Sequence, residues 1–350
     1  MGLSIGIAGL PNVGKSTLFN TLTMSNVAAS NYPFCTTKPN VGVVEVPDED
    51  LERLSKAVGG LELTYATIKF VDLAGLIEGS SHGEGLGNQF LAEVRTADAI
   101  LHLVRAFGDP NIAHPYSDVD PARDIGVVEL ELILSDLEII TRRLEKIRRV
   151  AKGGDTKAVE ELKLLERLKS ILDEGKTPQL EEFSAEEQKL IKVYQLLVTK
   201  PVLYVVNISE EDINKKDFPH LPICAKLERE LSELSPQERE SFRKELGLGE
   251  SALPRIIKSS YALLGLVTFY TVEARKVRAW PVQRGTSALE AAGSIHSDIQ
   301  RGFIRAEVTG FGDIMKYGSL HGAKEAGLTK IEGKGYQIRD KDVIYFRFSV

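Results

Sequence analysis

The chain has 350 residues, enough for two or three domains with their own cores, and 27% charged against 43% hydrophobic residues is an ordinary balance for a soluble globular protein. A formal net charge of −6 argues against a general nucleic-acid binder, and two cysteines, Cys35 and Cys224, cannot build a disulfide framework. No apolar run approaches the ~18 residues of a membrane span, so a reducing cytoplasm, without a targeting peptide or a membrane partner, is the expected setting.

Residues 3–8 read as a buried strand and residues 16–23 as the start of a helix. Between them Gly9-Leu10-Pro11-Asn12-Val13-Gly14-Lys15-Ser16-Thr17 meets every position of G-x-x-x-x-G-K-[ST]. Two glycines let backbone N–H groups close round a phosphate, Lys15 reaches the β- and γ-phosphates, and the Ser16 hydroxyl is placed for Mg²⁺. The phosphate would lie at a helix N-terminus, where free N–H groups favour an anion. Asn12, Val13, Gly14, Lys15, Ser16 and Thr17 are the expected phosphate-binding residues.

Residues 31–39 carry prolines and polar side chains without periodicity, a surface loop. In a phosphate-loop switch such a loop supplies a Thr hydroxyl to Mg²⁺ and the γ-phosphate. Thr36 is the choice, and Thr37 the alternative. Strands are expected at 41–46 and 67–72, with a short helix at 50–58 between them. Asp72 closes the second strand, where the Mg²⁺-side Asp of these folds stands, and Gly75 leaves its N–H free for the γ-phosphate. Leu76 occupies the place where many GTPases carry a water-positioning Gln, so hydrolysis needs another group. Residues 99–104 read as a further buried strand, with His102 a core histidine inside it. His114, in the Pro-rich loop 107–121, is read either as a solvated side chain or as the missing catalytic group.

From about 123 the pattern changes. Leu130, Ile133, Leu137, Ile140, Leu144 and Ile147 form a heptad seam, Gly153-Gly154 breaks it, and Asp155 caps a second stripe of Leu162, Leu165, Leu168 and Leu172. An antiparallel helical hairpin follows from this. Its tip is basic, with Arg142, Arg143, Lys146, Arg148, Arg149 and Lys152, and reads either as a phosphate-rich RNA contact or as a solvated face. Ser184 and Glu187 make a capping box, residues 201–207 return to buried-strand character, and 223–226 look like another strand end. The last part, with strands expected at 303–308, 336–338 and 344–348 around a helix at 287–292, reads as a compact α+β module.

Together these motifs resemble the Obg-like ATPases, the YchF branch of the translation-factor-related P-loop proteins. The resemblance rests on the phosphate loop, Asn31-Tyr32-Pro33-Phe34 with Thr36, Asp72-Leu73-Ala74-Gly75-Leu76, and Asn207-Ile208-Ser209-Glu210. It implies a G-domain-like α/β P-loop sheet at 1–122 and 200–281, an inserted coiled-coil hairpin at 123–199, and a ubiquitin-like TGS module at 282–350. It also implies Mg²⁺-dependent nucleotide hydrolysis with a hydrophobic residue in place of the Gln, association with ribosomes, and regulation of translation under stress. A monomer is expected. Where GTPases have N-K-x-D, this chain has Ile208 for Lys and Glu210 for Asp, while Asn207 can address the N6/N7 edge of adenine. Cys224, Ala225 and Lys226 would pack beside the base, so ATP is read over GTP. Asn12 is read as a ligand for K⁺. The alternatives are a GTPase of the same fold and a nucleotide-stabilised ribosome or RNA adaptor without turnover.

Overall fold

The computed structural model describes residues 3–24, 40–73, 86–215 and 217–349, and for 86–90 and 236 the backbone alone. Cys35, Thr36, Thr37, Gly75 and Leu76 lie outside the described residues. Among those described, no helix is long and apolar enough to cross a membrane.

β1 (Ser4–Ala8) runs straight into the core, with Ile5 and Ile7 fully buried, and α1 (Lys15–Met24) starts inside the glycine-bearing loop after it. β2 (Val41–Glu45) alternates buried and half-buried residues, and α2 (Glu49–Ala57) is capped by the Asp48 carboxylate, which accepts from Leu51 N–H. Next come β3 (Glu62–Thr64), β4 (Thr67–Asp72), α3 (Leu86–Thr96) and β5 (Ala99–Arg105), the last buried along its whole length. After the helical insertion, β6 (Val202–Asn207) and β7 (Leu221–Ile223) complete a six-stranded sheet in the order β2-β4-β1-β5-β6-β7. All its neighbours pair in parallel except β2 and β4. Continuous apolar strands are what a parallel sheet covered on both faces requires.

The insertion is a helical hairpin. α4 (Pro121–Ala151) is capped by Asp120 with proline in its first turn, and α5 (Thr156–Asp173) is capped by Asp155 as the sequence predicts. α6 (Ala185–Tyr194) opens on the predicted Ser184–Glu187 capping box. Ile140, Leu144 and Ile147 pack against Leu165, Leu168 and Leu172 in a core separate from that of the sheet. Leu130 departs from the predicted seam and is 50% exposed. At its level α4 has left α5 and lies on the sheet, burying Val128 and Leu132 in the main core instead.

α7 (Ala225–Ser232), α8 (Pro236–Glu245) and α9 (Ala252–Leu263) lead to the C-terminal part. There β8 (Leu266–Val272), β9 (Lys276–Gln283), α10 (Ala288–Ile295), α11 (Ser297–Arg301), β10 (Phe303–Gly310), α12 (Phe311–Tyr317), α13 (Leu320–Glu325), β11 (Lys330–Glu332) and β12 (Asp342–Phe348) follow one another. The second sheet has the order β11-β10-β12-β8-β9-β3. The boundary expected at 282 falls inside β9, because β8 and β9 are an antiparallel pair belonging to this sheet. Residues 336–338 form only an isolated bridge, Gln337 to Ser287, rather than a strand. β3 comes from the N-terminal part of the chain yet pairs in parallel with β9, so the second sheet contains a strand from between β2 and β4.

Candidate nucleotide site

The C-terminal ends of β4, β1, β5 and β6 meet at one edge of the first sheet, next to the strand from which the order diverges. That is where open α/β sheets hold ligands. A cavity of about 1120 Å³ opens there. The phosphate loop forms its floor. Gly9 has φ +150° and a Cβ on it would meet the Leu103 carbonyl oxygen at 2.3 Å. Gly14, at φ +100°, faces Asn207 so closely that a Cβ would come within 2.6 Å of Nδ2. Neither position admits a side chain.

Lys15 is buried, and its Nζ donates to the Gly9 and Leu10 carbonyls at 3.1 and 2.7 Å. Burial lowers its pKa from 10.5 to about 8, and the nearby Asp72 charge only partly restores it. Asp72, Ser16 and Thr17 stand on the same wall. Asp72 Oδ1 is buried without a hydrogen-bond partner among the described residues. A hard divalent cation takes oxygen ligands, and a buried carboxylate oxygen lacking a donor beside a phosphate loop fits one.

At the other end of the cavity the base segment differs from its sequence reading. Asn207 is buried, its Nδ2 donates to the Val13 carbonyl at 2.9 Å and its Oδ1 accepts from Ala225 N–H at 3.0 Å. It therefore ties β6, the phosphate loop and the start of α7 together, and both ends of its amide are engaged before any base arrives. Ile208 sits in an apolar cluster with Val206, Cys224, Leu227 and Leu231. Glu210 Oε1 pairs with Lys226 Nζ at 2.9 Å on the exposed rim. Cys224, Ala225 and Lys226 all line the cavity, and burial raises the Cys224 thiol above its ordinary range.

Val13 is not on the wall and contributes through its carbonyl. Asn12 holds φ +61°, and its Nδ2 donates to the Ala113 carbonyl at 3.1 Å. His114 is buried rather than solvated and does not line the cavity: its Nε2 lies 2.9 Å from Asp124 Oδ2. His102 is the core histidine expected, and burial pulls its pKa down to about 3. Sequence reasoning missed the third wall altogether. Phe107, Gly108, Asp109 and Ile112 line the cavity, and the buried Arg105 behind them organises that stretch. A Pro-rich loop with no periodicity carries no signal of this.

Comparison with known proteins agrees with the geometry. Residues 4–149 match a family described as 50S ribosome-binding GTPase, and residues 266–349 match the YchF-GTPase C-terminal family, described as a protein of unknown function. The chain is 46% identical to "Ribosome-binding ATPase YchF" of Bacillus subtilis (strain 168) and 43% identical to that of Escherichia coli O157:H7, each covering 100% of both chains. The solved structure of the Schizosaccharomyces pombe YchF GTPase superposes with a TM-score of 0.87 at 34% identity, covering 99% of this chain and 98% of the other. The second match begins at Leu266, where β8 does. The chain belongs to the YchF branch of the Obg-like P-loop nucleoside triphosphatases.

Proposed function

We propose that this protein is an Mg²⁺-dependent ATPase that acts as a nucleotide switch on the ribosome. The observation that carries it is a cavity joining Lys15, Ser16 and an Asp72 oxygen without a partner among the described residues to a base segment closed by the Glu210–Lys226 pair. Guanine specificity needs a free carboxylate for two N–H donors, and here the carboxylate is longer and shared with a lysine. Asn207 braces the segment, so adenine would be read by backbone and apolar contacts around Ile208 and Ala225. Ser16 and Asp72, with Thr36, would hold Mg²⁺, which neutralises phosphate charge when bound. Lys15 would exchange its two carbonyl partners for phosphate oxygens and stabilise the charge that builds on the transferring phosphoryl group. Gly75 N–H would add a donor to the γ-phosphate. His114, whose ring is held outside the cavity, is the candidate for the role of the missing Gln and would have to swing into the cavity to take it. Its loop is tied to the phosphate loop through Asn12 and Ala113, and Asp124 orients its ring. The Asn12 Oδ1 is left for a K⁺ ion, so turnover should fall when Na⁺ replaces K⁺. The relatives' names support ribosome binding, and we assign that contact to the basic hairpin and the C-terminal TGS-like module. We infer a monomer with the helical insertion at 123–199 and, in place of the division at 281, a C-terminal part that starts with β8.

The test is single-turnover hydrolysis of ATP and GTP, with and without ribosomes, in the wild type and in Ile208→Lys with Glu210→Asp. Losing a paired hydrogen bond to a base edge costs roughly 1–3 kcal/mol, so the wild type should favour ATP by about tenfold or more, and the double variant should move towards GTP. A wild type that prefers GTP establishes the GTPase alternative instead. Binding without turnover under every condition would leave the adaptor.

A further inference from the structure

Arg105 ends β5 directly beside Asn207 of β6, at the strand edge that holds the cavity. It is the largest fully buried side chain described, at 2% exposure, and no carboxylate lies within ion-pair distance of it among the described residues. Its guanidinium points its donors at backbone oxygens instead. Nε donates to Phe107 O at 3.0 Å, Nη1 to Ile112 O at 3.1 Å and Ala113 O at 3.4 Å, and Nη2 to Asp109 O at 3.3 Å. The group also lies 4.5 Å from the centre of the Phe107 ring. A buried cation without a counter-ion is costly, so a chain that keeps one there must use its geometry. The planar five-donor fork can hold several carbonyls of a loop at once, which a lysine cannot.

Those carbonyls belong to the stretch that supplies Phe107, Gly108, Asp109 and Ile112 to the cavity wall. The Ala113 oxygen also accepts from Asn12 Nδ2, so one atom receives both Arg105 and a residue of the phosphate loop. We propose that Arg105 is a positioning residue for nucleotide binding: it folds loop 107–113 into a wall of the cavity and locks that wall to the phosphate loop through the Ala113 carbonyl. The proposal rests on the cavity being the nucleotide site. It assigns Arg105 no contact with the nucleotide and no part in the phosphoryl step.

The experiment measures ATP KM and kcat with Mg²⁺, and Kd for a non-hydrolysable ATP analogue, in the wild type, Arg105→Lys, Arg105→Met and Asn12→Gly. Glycine suits the positive φ of Asn12, so that variant removes the side chain without straining the backbone. Arg105→Lys keeps the charge but loses the fork. It should raise KM and Kd about tenfold while kcat stays within about twofold, the signature of lost uniform binding. Asn12→Gly combined with Arg105→Lys should cost less than the product of the two single effects, since both act through one carbonyl. If Arg105→Met does not fold, Arg105→Lys and the cycle with Asn12→Gly still decide the matter. Unchanged Kd in folded Arg105→Lys, a fall in kcat without a rise in KM, or strictly multiplicative effects would each overturn the role of Arg105. A wild type that binds no analogue would overturn the reading of the cavity instead.

Discussion

Lys15 meets two opposed demands. In the proposed role phosphate binding needs its charge, while the pocket that fixes it strips away water and lowers its pKa from 10.5 to about 8. Phosphates restore what burial removes, so binding should draw a proton from solution near pH 8. Affinity should then fall by about tenfold per pH unit above 8, until the bound-state pKa is reached. Unfolding does not mimic this. Between 8 and 10.5 the unfolded chain holds more protons at this site than the folded one, so the lysine makes the free fold more stable as pH rises. Titration calorimetry in buffers of different ionisation enthalpy reads the proton directly, and Lys15→Ala should abolish both uptake and hydrolysis. Affinity that stays flat from about pH 7.5 to about 9.5 in folded protein would refute it. At this scale the phosphate loop and Asp72 are legible in the sequence because each role needs a fixed residue type at a fixed spacing. Asn207 is half legible: its place in the cavity is as expected, but its amide is used for bracing, which depends on strands that only the fold brings together. Arg105 is not legible at all, since nothing local separates it from any polar residue ending a strand.

The hairpin shows why a count of charges misleads. Of the six basic residues at its tip, Arg142 pairs with Glu138, Arg143 with Glu161, and Arg148 with Glu166. Arg143 is bound most firmly, because Glu161 takes both its Nε and Nη2 and also accepts from Tyr194. Lys146, Arg149 and Lys152 have no carboxylate partner among the described residues and project from an otherwise acidic protein, so they are the groups available to phosphates. Changing these three to Glu should weaken ribosome binding strongly and flatten its dependence on salt. The same change at Arg143 should chiefly lower the melting temperature of the hairpin. Filter binding at two salt concentrations separates the outcomes, and equal losses from both changes would refute the division. The apolar seam is readable over the outer part of the hairpin, where α5 is the main partner of α4. It fails at Leu130, where the sheet replaces α5 as partner and the buried side of the helix turns with it.

The path of β3 has a consequence for the whole molecule. The chain between β2 and β4 leaves the first sheet, forms α2, and gives β3 to the second sheet before returning as the strand that ends in Asp72. α2 is fastened on the way. The Tyr270 hydroxyl donates to Asp48 at 3.0 Å, Lys341 Nζ lies 2.6 Å from Asp50, and the Arg53 guanidinium sits 5.4 Å from the centre of the Phe311 ring. Leu51 and Leu54 share one continuous core with Tyr270, Val277 and Ile314, whereas the hairpin keeps its own. Three residues of half-exposed strand give no sequence signal, and the β8–β9 pair looks like any buried strand pair, which is why the boundary expected from the sequence lies too late. With that shared core, opening the second sheet uncovers α2, so nucleotide bound at the first sheet should protect both. At 100 times Kd a ligand adds about 2.7 kcal/mol to global opening, or roughly a hundredfold slower exchange for amides that exchange only by that route. Saturating ATP should therefore slow hydrogen exchange in β8, β10 and β12 along with β1 and β5, and leave the outer half of α4 and α5 nearly unchanged. Tyr270→Phe removes one hydrogen bond to Asp48 and should lower the stability of the joined unit by about 1 kcal/mol. It should also reduce the protection that ATP confers on β8 relative to β1. Protection confined to the first sheet in the wild type would show that the two sheets open independently, whatever core they share.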